Sequence, residues 1–192
     1  MLKKLLTCST LILSIYFLRI HPVGAKTDFE LQFENFSCKS SEVSENPIER
    51  YNCGLNKNVK RRTLHMEFSM REELKEFDFH IGIIMPRRPV DFVLLNLTVD
   101  GCHLLSNKNQ VPLMRLSREI LDRYSNFPRQ CPFQRGKTYY IRAFRLDLSL
   151  IPAMNMETPV RLKFAYMRRQ LPMLQGKIVA RVQRTTIAKR KD

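Results

Sequence analysis

The sequence predicts a mainly β protein, a two-sheet sandwich of short antiparallel strands with one short helix. Three observations predict it. Apolar and polar residues alternate with a period of two in seven separate runs, only one stretch has helical period, and the turn residues fall between these runs. At 192 residues and 44% hydrophobic content the chain can bury one core of ordinary size. Its aliphatic and aromatic content excludes disorder. After the first twenty residues no apolar run reaches the roughly 18 to 20 residues that a membrane-spanning helix needs.

The elements follow in order. Lys3 and Lys4 precede an apolar stretch from Leu5 to Leu18, and Val23-Gly24-Ala25 offers small residues for a signal peptidase, so 1–25 reads as a secretory signal peptide. The run is short for an anchor, and Arg19, His21 and Pro22 follow it at once. Removal of the leader takes away Cys8 and three basic residues. Five cysteines become four, and 33 Lys+Arg against 18 Asp+Glu becomes 30 against 18, a formal charge of +12. Residues 26–192 are then expected to form a single secreted domain with a short basic tail.

Phe29, Leu31 and Phe33 begin the alternation, followed by a polar loop from Lys39 to Arg50. Leu64, Met66, Phe68 and Met70 repeat the pattern, then Phe77, Phe79, Ile81 and Ile83. Pro86-Arg87-Arg88-Pro89 separates these from Val93, Leu95, Leu97 and Val99. Leu113, Leu116, Ile120, Leu121 and Tyr124 have helical spacing between Pro112 and the break at Ser125-Asn126-Phe127-Pro128. Three more strands are read at Phe144, Leu146, Leu148 and Leu150; at Val160, Leu162, Phe164 and Tyr166; and at Ile178, Ala180 and Val182, with Gln170 to Gly176 separating the last two. Four cysteines in an exported chain read as two disulfides. Three pairings are formally possible, and the spacing favours Cys38 with Cys53 and Cys102 with Cys131. Asn35-Phe36-Ser37 and Asn96-Leu97-Thr98 match the N-glycosylation acceptor pattern, and Asn96 points opposite to the aliphatic face of its strand.

The common catalytic signatures are missing: the six glycines form no phosphate loop, and G-x-S-x-G, H-E-x-x-H and C-x-x-C do not occur. His65 and His80 lie on strands that the order of runs makes neighbours, so a general acid–base pair is a minor alternative. Cys102-His103 with Cys131 as a zinc set yields to a disulfide in an oxidising compartment. No enzyme, cofactor or metal is expected. Lys60-Arg61-Arg62, Arg87-Arg88, Arg168-Arg169 and Lys189-Arg190-Lys191 give a cationic surface suited to an anionic membrane or a receptor. No basic stripe interleaved with exposed aromatics marks a nucleic-acid partner. Periodicity leaves open whether the apolar faces fill a packed core, the commoner outcome, or line a cavity.

A resemblance bears on that question. Val99-Asp100-Gly101-Cys102, Ser125-Asn126, Cys131-Pro132-Phe133, Gly136, Tyr139-Tyr140-Ile141, Leu146-Asp147, Ile151-Pro152 and Leu174-Gln175-Gly176-Lys177-Ile178, with the upstream pair Cys38 and Cys53, resemble a large insect family of small secreted proteins of uncharacterised function related to the ML (lipid-recognition) superfamily. The last third of the chain is similar to the ganglioside activator protein of that superfamily. Thr158-Pro159-Val160-Arg161 stands where relatives have a glycine followed by an aromatic. The resemblance implies an immunoglobulin-like, ML-like sandwich whose sheets are splayed around a lipid or other hydrophobic small molecule, with a role in lipid transfer or insect chemosensation. Leu64, Met66, Phe68, Phe79, Ile81, Leu95, Leu97, Phe144, Leu146, Leu148, Leu162 and Phe164 are the expected lining. The alternative is a secreted interaction module with a packed core, binding a receptor or polyanion through its basic surface.

Overall fold

The computed structural model describes residues 29–41, 46–56, 62–106, 112–146, 148 and 156–184. The expected signal peptide, the expected basic tail and the ends of the expected 26–192 domain lie outside the described residues. The chain is a two-sheet antiparallel β-sandwich. One sheet has the order β1-β8-β7-β4-β5, built from β1 (Phe29–Ser40), β4 (Asp78–Met85), β5 (Phe92–Asp100), β7 (Thr158–Arg168) and β8 (Leu171–Arg184). The other has the order β2-β3-β6, from β2 (Ile48–Leu55), β3 (Leu64–Met70) and β6 (Thr138–Phe144). A five-residue helix α1 (Gly101–Leu105) and the amphipathic helix α2 (Pro112–Tyr124) fill the connection from β5 to β6. Asp100 caps α1 by accepting a hydrogen bond from the His103 backbone N–H.

Period-two alternation becomes two faces, as a pleated strand requires. Leu64, Met66, Phe68 and Met70 are buried along β3, and Val160, Leu174, Ala180 and Val182 lose all solvent contact in the middle of the larger sheet. Where the alternation slips, a bulge explains it. The register of β1 shifts between Phe33 and Asn35, so Phe36 rather than Asn35 turns inward and the acceptor Asn35 is exposed.

Three expectations need correction. The polar loop from Lys39 to Arg50 overlaps strands at both ends: β1 continues to Ser40, and β2 begins at Ile48. As an edge strand, β2 exposes Glu49 to Asn52, so it has no apolar alternation to read. The strand expected from Phe144 to Leu150 ends at Phe144 and instead begins at Thr138. Ala143 sits at φ 52°, in the left-handed region, and the β3–β6 register shifts there, which breaks the pleat. The turn expected over Gln170 to Gly176 is only Arg169 and Gln170, both with positive φ, the two-residue geometry that matches the twist of a hairpin.

Both disulfides join the pairs that spacing favours. Cys38 on β1 and Cys53 on β2 are 5.9 Å apart between Cα atoms and link one edge of the two sheets, and Cys102 on α1 is bonded to Cys131 ahead of β6. The first bond closes a sequence separation of 15. Replacing Cys38 and Cys53 together by serine should lower the unfolding free energy by about 3 kcal/mol on the chain-entropy model. Urea unfolding of the oxidised wild type and the double variant measures it, and equal midpoints would refute a stabilising role for the clamp.

Candidate ligand cavity

The inner faces of the sheets do not meet everywhere. Between them lies a cavity of ≈ 230 Å³ with an almost wholly hydrophobic wall. The larger sheet supplies Leu31 and Phe33 from β1, Phe79, Ile81 and Ile83 from β4, and Leu162, Phe164 and Tyr166 from β7. The smaller sheet faces them with Leu64 and Met66 from β3 and Ile141 and Phe144 from β6. Leu116, Ile120 and Leu121, the apolar stripe of α2, and Leu104 and Leu105 of α1 complete the wall. From Phe77, just ahead of β4, to Ile83 within it the lining extends over roughly 20 Å at about 3.3 Å per residue. An apolar cavity of about 150 Å³ already stays dry and takes benzene.

The two ends differ. Phe77, Phe127, Tyr166, Leu104 and Leu105 are all buried, whereas Leu95, Leu146, Leu31 and Leu162 at the other end keep accessible surface although they point inward. Rings close the buried end: Phe68, Phe127, Phe133, Tyr139 and Tyr166 pack with centroids 4.6 to 6.5 Å apart. Phe164 lies directly over Gly176, where a Cβ would come within 2.1 Å of its Cζ. Glycine at that position keeps the Phe164 ring against β8.

Nine of the twelve residues expected to line a cavity border this one: Leu64, Met66, Phe79, Ile81, Leu95, Phe144, Leu146, Leu162 and Phe164. Three do not. Phe68 is 3% exposed inside the ring cluster beyond the buried end, Leu148 packs with Ile83, Val160 and Val182 in a separate small core, and Leu97 is half-buried on the outermost strand of its sheet. Strand alternation assigns a face but not a depth along it. The residues missed on α2 carried a readable signal, since Leu116, Ile120 and Leu121 already showed the helical stripe; its target was not legible.

A buried arginine holds α2 in place. Arg118 is 6% exposed, its Nη1 donating to the carbonyls of Leu105 at 2.9 Å and Pro128 at 3.2 Å, while its Nη2 pairs with Asp122. The hydrogen bond from Arg118 holds the Asp122 carboxyl below its ordinary value, against a smaller opposing effect of burial. One guanidinium thus ties α2 to α1 and to the segment before Cys131.

The polar candidates separate. His65 alternates with buried Leu64 and Met66 and so faces outward from the smaller sheet, packed over Gly54; His80 faces outward from the larger sheet and shares a hydrogen bond of 3.0 Å with Thr98. The two strands are in different sheets, so the imidazoles cannot act as a pair. Cys102 and Cys131 are in a disulfide, and no group of metal-holding side chains occurs among the described residues. Asn96, like Asn35, is exposed.

The depressed Asp122 carboxyl makes a pH-dependent prediction. A lowered folded-state value means its contribution is present above the unfolded carboxylate range and is lost as the pH falls through the folded value. Asp122→Asn should therefore unfold at lower urea concentration than wild type at neutral pH, and the gap should close in acid. A gap that persists once carboxylates are protonated would show that the ion pair is not its source.

Residues 79–161 match a family described as a protein of unknown function, DUF1091. The match takes in nearly all of β4, with β5, both helices, the Cys102–Cys131 bond and β6, so it reaches both of the sheets that face the cavity, and it spans less than half of the chain. No curated protein matches the chain.

Proposed function

We propose that the protein is a secreted, non-catalytic carrier of a lipid or other hydrophobic small molecule, held between the sheets. The observation that supports this reading is the ≈ 230 Å³ apolar cavity whose inward-pointing walls retain accessible surface. Apolar burial at about 25 cal/mol per Å² supplies affinity, before the cost of association is subtracted. The two disulfides suit an oxidising compartment, and no helix among the described residues is long and apolar enough to cross a membrane. The resemblance to lipid-recognition proteins points the same way and makes chemosensation or lipid transfer the setting to examine. Glycans on the exposed Asn35 and Asn96 belong to the same proposal, and mobility shifts after glycosidase treatment of the protein from its host test them.

Two measurements address the carrier reading. Organic extraction of protein from its native host, followed by mass spectrometry, is expected to release a hydrophobic compound in near-stoichiometric amount. Purified protein is also expected to take up a naphthylamine fluorophore, with Leu162→Trp, which fills the cavity, weakening uptake by roughly tenfold or more while far-UV circular dichroism is unchanged. No extractable compound together with no uptake by wild type would reject the reading.

The connection from β4 to β5 supports a membrane as the delivery surface. Val90, Phe92 and Val93 are 74%, 48% and 53% exposed beside Arg87 and Arg88, with the Arg87 guanidinium 5.6 Å from the centre of the Phe92 ring. Apolar tips flanked by cations suit an anionic bilayer. Co-sedimentation with phosphatidylserine-containing vesicles should fall several-fold in the double variant Phe92→Asp, Arg88→Glu, and unchanged binding would remove this loop from the proposal. The alternative of a basic receptor-binding face is less favoured, because Arg142, Arg161, Arg168 and Arg181 pair with Glu67, Asp91, Glu72 and Glu34.

A further inference from the structure

One polar group in the cavity wall is out of keeping with the rest. Tyr166 is 7% exposed, its ring held among Phe68, Phe77, Phe79, Phe127 and Phe164 at centroid distances of 5.3 to 6.5 Å. Tyr139, in the same cluster, uses its hydroxyl to accept from the Gln134 N–H at 2.9 Å. The Tyr166 hydroxyl makes no hydrogen bond among the described residues, and unlike Ser69 Oγ and Arg118 Nε its oxygen is not wholly enclosed but keeps some accessible surface, while its residue borders the cavity. Burial alone drives its acidity far below that of an ordinary phenol, so it remains a neutral O–H donor. A buried tyrosine hydroxyl ordinarily finds a partner, because leaving it without one costs much of its desolvation energy.

Water is a poor partner here. An ordered internal water needs two to four polar neighbours. Among the described residues, the other polar side chains of the wall are Ser117, which already has an interaction of its own, and Lys163, which is exposed. A molecule with an apolar body and one polar atom satisfies the hydroxyl and the cavity together. An ionised head group does not, since a charge at the buried end would be desolvated without a counter-ion.

Building on the carrier reading, we propose that Tyr166 is the polar anchor of the cavity and selects an uncharged amphiphile with a single hydrogen-bond acceptor, such as a ketone, ester or alcohol oxygen, whose hydrocarbon tail runs toward Leu95 and Leu146. The oxygen sits at the buried end and accepts from the Tyr166 Oη. A saturated hydrocarbon fills the same space without that bond, and a carboxylate is discriminated against.

Calorimetric titration of wild type and Tyr166→Phe with methyl octyl ketone and with decane, molecules of matching length, tests the proposal. Tyr166→Phe keeps the ring and removes only the hydroxyl. It is expected to weaken ketone binding by roughly 3- to 10-fold, the worth of one hydrogen bond, and to leave decane binding unchanged or improved. Retained decane binding also shows that the variant is folded. Equal effects on the two ligands, or none on the ketone, would overturn the role of Tyr166 while leaving the carrier reading standing. Failure of wild type to bind either ligand would overturn both.

Discussion

The structure depends on an unequal closure of its two sheets. At one edge β1 and β2 come together and the Cys38–Cys53 bond holds them. At the other edge α2 packs on β6 and α1, so the sheets are held apart there by a helix. A sandwich closed at both edges would interdigitate its inner side chains to the usual packing density. Closed at one edge and propped at the other, it leaves ≈ 230 Å³ unfilled. By the cost measured for cavities in other cores, about 24 cal/mol per Å³, such a space forgoes on the order of 5 kcal/mol of packing. That is a large fraction of the stability of an ordinary domain. A ligand that fills the space restores the missing contacts, so occupancy and stability are linked in one equilibrium.

The prop is itself polar. Arg118 carries a buried charge into the junction of α2 with α1, an arrangement that costs desolvation unless its donors are satisfied. Leu105, Pro128 and Asp122 satisfy most of them, leaving Nε without a partner. An apolar residue there would pack α2 without fixing its rotation. The fork of the guanidinium fixes both the helix end and the loop before Cys131, so the stripe of Leu116, Ile120 and Leu121 meets the cavity rather than the solvent.

Much of this was legible in the sequence, for identifiable physical reasons. Strands with one wet and one dry face write their burial as alternation, so β3, β4, β7 and most of β8 were readable, as was α2 from its 3.6-residue stripe. The β2 strand was not, because an edge strand can be paired while exposing polar residues such as Glu49 and Asn52. Nor was the end of β6, which depends on one backbone angle at Ala143, a residue that gives no warning of a left-handed conformation. Within the site, the face of each lining residue followed from alternation, but its depth did not. Phe68 and Leu64 share a face of β3, yet one lies in the ring cluster and the other borders the cavity. Only the meeting of two sheets and a helix decides that.

The chemical uniformity of the lining limits what kind of recognition is possible. Hydrophobic burial has no direction, so a wall of Leu, Ile and Phe rewards the area and shape of a tail and hardly distinguishes one end of it from the other. Apart from the exposed Lys163, the described lining residues of the larger sheet are aliphatic or aromatic, and the stripe of α2 adds more of the same. Orientation must then come from a group that interacts along a particular direction, which in a dry space means a hydrogen bond. In the closed end of this cavity the Tyr166 hydroxyl has that property, and the five rings around it prevent the phenol from turning toward another partner. Rigidity in the aromatic cluster and adaptability toward the leucine-lined end are therefore complementary: one fixes the polar atom of a bound molecule, and the other tolerates variation in the length of its tail.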